Sequence, residues 1–152
     1  MRTITVVVDI DRPAAEVYAF LEDVENNPTW LRGMRSATWT TPPPVHLGST
    51  YEQHARFFGK DIVTSFEVTH LDPPRSITIT SRRSPFPLTV TRAVAPLAAK
   101  RARVTETVDS DPAGFYRIAT PILARLVERN IRADYRRLKR YLEAQATAPT
   151  AR

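Results

Sequence analysis

Cysteine is absent from the 152 residues, which excludes a disulfide framework and any thiolate metal site. Histidine is nearly as scarce. The three present, His46, His54 and His70, show no ligand spacing, so no metal is expected, and no cofactor either. Long hydrophobic runs are missing too: no stretch approaches the roughly 18 apolar residues of a membrane span. The opening "MRTITVVVDI" carries one arginine and then a strand-like run without a cleavable small-residue site, so a soluble, cytoplasmic protein is expected. No internal repeats occur.

Acidic residues are in deficit, 16 Asp and Glu against 22 Lys and Arg, for a net charge of +6. Arg125, Arg129, Arg132, Arg136 and Arg140 recur at spacings of three and four and line one stripe of a helix, where Glu128 and Arg132 stand at i, i+4. A solvated helix face accounts for the stripe. An anionic partner is the alternative, but no aromatics interleave with it and no nucleic-acid-binding signature accompanies it, so no nucleic acid is expected.

What is present is the material of one core: 42% apolar residues in the length of one ordinary domain. That domain is expected over residues 1–146, with 147–152 a disordered tail. "TITVVVDI" is a β-branched alternating strand, and Asp11 near Pro13 signals a helix whose stripe is Val17, Phe20, Leu21 and Val24. Asn26, Asn27 and Pro28 make a turn, Trp30 sits on a short helical turn, and "RSATWT" is a strand. After Pro42–Pro44 come strands bounded by prolines, Pro96 among them, and then a long helix from Pro112. Pro121 should kink that helix, because it removes a backbone donor. Its apolar stripe changes face there, from Phe115, Ile118, Ile122 and Leu126 to Val127, Ile131, Tyr135, Leu138 and Leu142.

The stretch "YEQHARFFGKDIVTSFEV" reads as a hairpin turning at Gly59-Lys60, with Phe58 opposite Asp61 and His54 opposite Ser65. Alternation puts Tyr51, Gln53, Ala55, Phe57, Ile62, Thr64, Phe66 and Val68 on the face a core wants. His54, with Glu52 and Arg56, falls on the other, wet face. By the same alternation Arg92 lies between Val90 and Val94, and Glu106 between Val104 and Val108, on the inner face of adjacent strands. Either the two charges pair, or one meets a polar group of a ligand.

A strand, two short helices, an antiparallel meander and a long last helix is an α+β order of elements. Together with "DIDRPAAEVYAFLEDVENNPTWLRGMRSATW", "LGSTYEQHARFFGKDIVTSFEVTHLDPPRSITITS", "SPFPLTVTRAVAP" and "RVTETV", it resembles the START-like (SRPBCC) superfamily, polyketide cyclase/dehydrase branch. The resemblance runs from about Thr3 to Glu143. Its framework residues fall on Pro13, Val17, Phe20, Trp30, Gly48, Phe66, Pro73, Pro74 and Leu138, and no catalytic motif carries over. It implies a helix-grip fold, with a curved antiparallel sheet of six to seven strands around a kinked C-terminal helix. It also implies a hydrophobic small-molecule ligand, polyketide- or lipid-like, in a monomer or homodimer. An enzyme of the cyclase or dehydratase type is the alternative, with Arg92 and Glu106 as its catalytic candidates. The expected ligand contacts are Trp30, Tyr51, Gln53, Phe57, Thr64, Phe66, Phe86, Val90, Arg92, Glu106, Ile122, Val127 and Ile131, with Asp134 at the edge of the inner helix stripe.

Overall fold

The chain runs β1 (Arg2–Ile10), α1 (Ala14–Glu22), a 3-10 turn (Val24–Asn26), α2 (Asn27–Trp30), β2 (Met34–Trp39), β3 (Thr50–Phe57), β4 (Lys60–Asp72), β5 (Ser76–Arg83), β6 (Leu88–Ala98), β7 (Arg101–Ser110) and α3 (Pro121–Thr147). This is a computed structural model, and it describes residues 2–57, 59–83, 87–110 and 121–147. The seven strands form one antiparallel sheet in the order β1-β7-β6-β5-β4-β3-β2. Each strand from β3 to β7 pairs with its predecessor, and β1 closes against β7. The curved sheet grips α3, which makes this a helix-grip fold.

Two packed groups of apolar residues divide the interior. Ile4, Val6 and Ile10 of β1 and Val104 of β7 meet Val17 and Leu21 of α1 and Tyr135, Leu138 and Leu142 of α3. Further along the sheet Tyr51, Phe66, Val68, Ile77, Ile79 and Val90 pack with Val24. Fully buried side chains of this kind contribute about 1.5–3 kcal/mol each, and here they hold the helix against the concave face. Phe66, Ile79 and Val90 of the second group also border a cavity, together with further inward positions of the sheet.

Several local expectations are corrected. α1 begins at Ala14, directly after Pro13 as expected, but ends at Glu22, so Val24 of the expected stripe falls in the 3-10 turn; the Asp11 amide donates to Glu143 Oε2 at 2.9 Å, tying the helix entry to α3. Asn27 opens α2 and is 1% exposed, not a turn residue at the surface. The β3–β4 pairing is displaced by two residues: Arg56 faces Asp61, Phe57 faces Lys60, and His54 faces Val63 rather than Ser65. Gly59, at φ 75°, takes the left-handed backbone that the reversal needs. A shift of two preserves every side chain's face, so His54 stays outside. Pro96 lies inside β6, at an irregularity in its pairing with β7, where the missing donor is tolerated. Thr147, assigned to the tail, is helical, whereas 148–152 lie outside the described residues. The Pro121 kink and the Phe115–Ile118 part of the stripe rest on residues 111–120 and also lie outside them. Leu126, on the other side of that stripe, is 41% exposed in the single chain.

Candidate functional site

A cavity of about 630 Å³ lies between the concave face of the sheet and α3. Its walls are mainly apolar. From the sheet come Ile62, Phe66, Ile79 and Val90, and from α3 come Val127 and Ile131. Gln53 and Thr64, directly opposite each other on β3 and β4, add two neutral polar groups. The exposed lining residues Arg32, Gly33, Arg56, Pro87 and Asn130 mark the mouth.

At the inner end stand Arg92 and Glu106, Cα partners across β6 and β7, with side chains 7% and 7% exposed. Arg92 Nε reaches Glu106 Oε1 at 3.4 Å, while Nη1 donates to Asn27 Oδ1 at 3.1 Å. The guanidinium also lies over the Trp30 ring, 5.0 Å from its centroid, where the π face offsets part of the cost of burying a cation. Burial pushes the Glu106 carboxyl above the usual carboxylate range, against the pull of Arg92. Burial also works against the Arg92 charge, but Tyr135 and Glu106 together raise its pKa. Arg92 therefore stays protonated, whereas Glu106 is the more easily neutralised partner.

Around this pair, the buried Asn27 Nδ2, Trp30 Nε1 and Tyr51 Oη have no hydrogen-bond partner among the described residues, and Tyr135 Oη lies beside Glu106 and Arg92 without a well-aligned bond to either. Burial raises the pKa of both phenols, so both keep their protons and remain donors. Buried polar groups are ordinarily paired, and leaving one unpaired costs about 1–3 kcal/mol. None of the four residues lines the cavity; they form a polar layer behind Arg92 and Glu106, the two charged groups that do.

The sequence-predicted residues separate into three sets. Gln53, Thr64, Phe66, Val90, Arg92, Glu106, Val127 and Ile131 line the cavity together. Trp30 and Tyr51 do not line it; they are 1% and 0% exposed and support residues that do. Trp30 packs edge-on against Tyr135 at 4.8 Å and carries Arg92, and Tyr51 stacks on Phe66 at 5.2 Å. The side chains of Phe57 and Ile122, and the whole of Phe86, lie outside the described residues. Asp134 borders the cavity and accepts from Arg137 Nη1 at 2.8 Å and from the Arg32 amide at 3.4 Å.

Sequence reasoning missed Asn27, Arg32, Arg56, Asn130 and Arg137. Asn27 meets Arg92 across 65 positions of chain, a contact no local pattern signals. Arg56 alternates onto the outer face, yet at the end of β3 it borders the mouth.

A curved sheet closed around a long last helix, with an apolar cavity between them, defines the helix-grip class. A family model described as polyketide cyclase / dehydrase and lipid transport matches residues 1–143, and the chain belongs to that family. Comparison with curated proteins returns no match. Among solved structures, the Zhui aromatase/cyclase from Streptomyces sp. R1128 aligns at TM-score 0.77 and 20% identity, over 97% of this chain and 96% of its own. The di-domain ARO/CYC BexL from the BE-7585A biosynthetic pathway aligns at TM-score 0.75 and 23% identity over 97% of this chain, which spans only 48% of it. A START superfamily protein from Mycobacterium smegmatis aligns at TM-score 0.71 and 14% identity, over 94% of this chain and 95% of its own. These likenesses establish the fold, which hosts more than one function. Among the described residues no helix is long and apolar enough to cross a membrane, and no group of His, Asp and Glu is placed to hold a metal ion.

Proposed function

We propose that the protein binds a hydrophobic small molecule, polyketide- or lipid-like, with an accepting oxygen of the ligand directed at the Arg92 end of the cavity. The observation that carries this is the cavity's two-part lining: apolar walls from β3–β6 and α3 ending on the buried Arg92 guanidinium and Glu106 carboxyl. Apolar walls supply affinity through area removed from water, and a few placed polar groups supply orientation. Native mass spectrometry of freshly purified protein tests the reading. A retained organic molecule, displaced by the neutral dye Nile red, is expected; absence of both retained molecule and dye uptake would overturn it.

A second reading, an enzyme that cyclises or dehydrates such a ligand, is favoured by one observation. The Arg92–Glu106 contact is single and 3.4 Å long, and burial raises the Glu106 pKa, which suits a group that moves a proton. In that role Arg92 polarises a carbonyl oxygen and Glu106 transfers the proton. Turnover of a poly-β-ketone chain that is lost in Glu106→Gln, with Nile red uptake retained, would establish it; binding without turnover leaves the carrier.

A further inference from the structure

Four arginines and two carboxylates line the cavity among the described residues: Arg32, Arg56, Arg92 and Arg137 against Glu106 and Asp134. Each carboxylate is already engaged. Glu106 faces Arg92 at the inner end, and Asp134 accepts from Arg137 Nη1 at 2.8 Å. Arg32 and Arg56 remain, both exposed and both bordering the mouth; Arg32 feels the Asp134 carboxylate and Arg56 stands opposite Asp61 on β4, but neither guanidinium closes to an ion pair or hydrogen bond with a described residue.

The backbone holds these two arginines near each other. The Arg56 amide donates to Gly33 O at 2.7 Å, so the residue next to Arg32 is bonded to Arg56 itself. The approach depends on Gly33, because a Cβ there would stand 3.1 Å from the Arg56 carbonyl oxygen. Two like charges anchored on bonded stretches of backbone disfavour each other's company, and an anion bound at the same rim is attracted by both. The guanidinium fork suits oxyanions, presenting paired N–H donors to carboxylate or phosphate oxygens.

We infer that Arg32 and Arg56 form an oxyanion subsite at the mouth, and that the ligand is an amphiphile whose chain fills the cavity while a carboxylate or phosphate head stays at the rim. This rests on the binding reading above and narrows its ligand class. The exposed position fits a charged group: the head keeps much of its hydration, and only the chain leaves water. A ligand of this class carries an accepting oxygen for the inner end and an anion for the outer one, joined by an apolar middle.

Displacement of Nile red by four ten-carbon probes tests the inference: decanoate, decyl phosphate, 1-decanol and methyl decanoate, in mildly alkaline, low-salt buffer. Decanoate and decyl phosphate should displace the dye at concentrations on the order of ten-fold below the two neutral probes, with added salt narrowing the gap. Which anion is favoured distinguishes a carboxylate head from a phosphate head. Arg32→Ala with Arg56→Ala should abolish the preference and leave the neutral probes unchanged, whereas Arg32→Lys with Arg56→Lys should keep part of it. Equal displacement by all four probes, or a preference that survives the double alanine variant, would overturn the inference while leaving apolar binding intact. No uptake of dye or of any probe would overturn both.

Discussion

Arg92 and Glu106 face each other on neighbouring strands, nearly sealed from water, through one Nε to Oε1 contact of 3.4 Å rather than a forked pair. The guanidinium divides its donors between Glu106 and the Asn27 amide oxygen and rests on Trp30. Arg92→Leu strands a buried carboxylate and should cost about 3–5 kcal/mol. Arg92→Leu with Glu106→Leu should recover much of that loss, as measured by chemical denaturation of the wild type, Arg92→Leu, Glu106→Leu and the double variant. Strictly additive effects would show that the two side chains are not coupled.

Tyr135→Phe keeps the ring that packs on Trp30 and deletes a buried hydroxyl that lies beside Glu106 and Arg92 without a well-aligned hydrogen bond. Removing an unpaired group of this kind should raise ligand-free stability by up to about 1 kcal/mol. If the hydroxyl serves the ligand's accepting oxygen, the same variant should bind ligand more weakly. Thermal melts with and without Nile red read both effects. A clear loss of ligand-free stability would mean that the hydroxyl has a partner of its own.

The raised Glu106 pKa predicts a pH dependence with a definite sign. The folded protein holds this proton more tightly than the unfolded chain does, so the contribution is fully present below the ordinary carboxyl value of 4.5 and is lost as pH rises through the folded pKa. Glu106→Gln cannot titrate there. The wild type should therefore lose stability relative to Glu106→Gln between mildly acid and mildly alkaline buffer, and groups common to both proteins cancel in the difference. A melting-temperature difference that does not move with pH would refute this.

His54 pairs with Glu52 at 2.9 Å on the convex face, its side chain 49% exposed. Exposed pairs of this kind contribute little. His54→Ala should change unfolding free energy by less than about 0.5 kcal/mol and leave dye uptake unaltered. A variant that folds normally but takes up no dye would show that the histidine reaches the site.

Alternation made the sheet faces legible. Val90 and Val94 around Arg92, and Val104 and Val108 around Glu106, mark the concave side because a strand's side chains keep their face whatever its partner does. The hairpin register was harder to read, because "FFGK" offers two positions for the reversal and both preserve every face. Tyr135 belonged to the inner stripe of the long helix, but its period says nothing of where the hydroxyl ends. Asn27 and the Arg32–Arg56 proximity were invisible for another reason. They depend on α2 and the end of β3 meeting elements far away in sequence, and no periodicity within a segment encodes such a meeting.

The sheet order has a consequence for how the chain comes together. From β3 to β7 every strand pairs with the one made just before it, so each of these pairings closes a local loop. β1 is different: Thr3 Oγ1 donates to Asp109 Oδ1 at 2.6 Å across 106 positions. During synthesis the β-branched opening strand emerges first, while its pairing partner emerges after five others. Until then it is an apolar strand with both edges unpaired, a template for pairing with another chain. Closure of β1 onto β7 is the high-contact-order step of folding, and a chain interrupted before Arg101 leaves that opening strand without its partner.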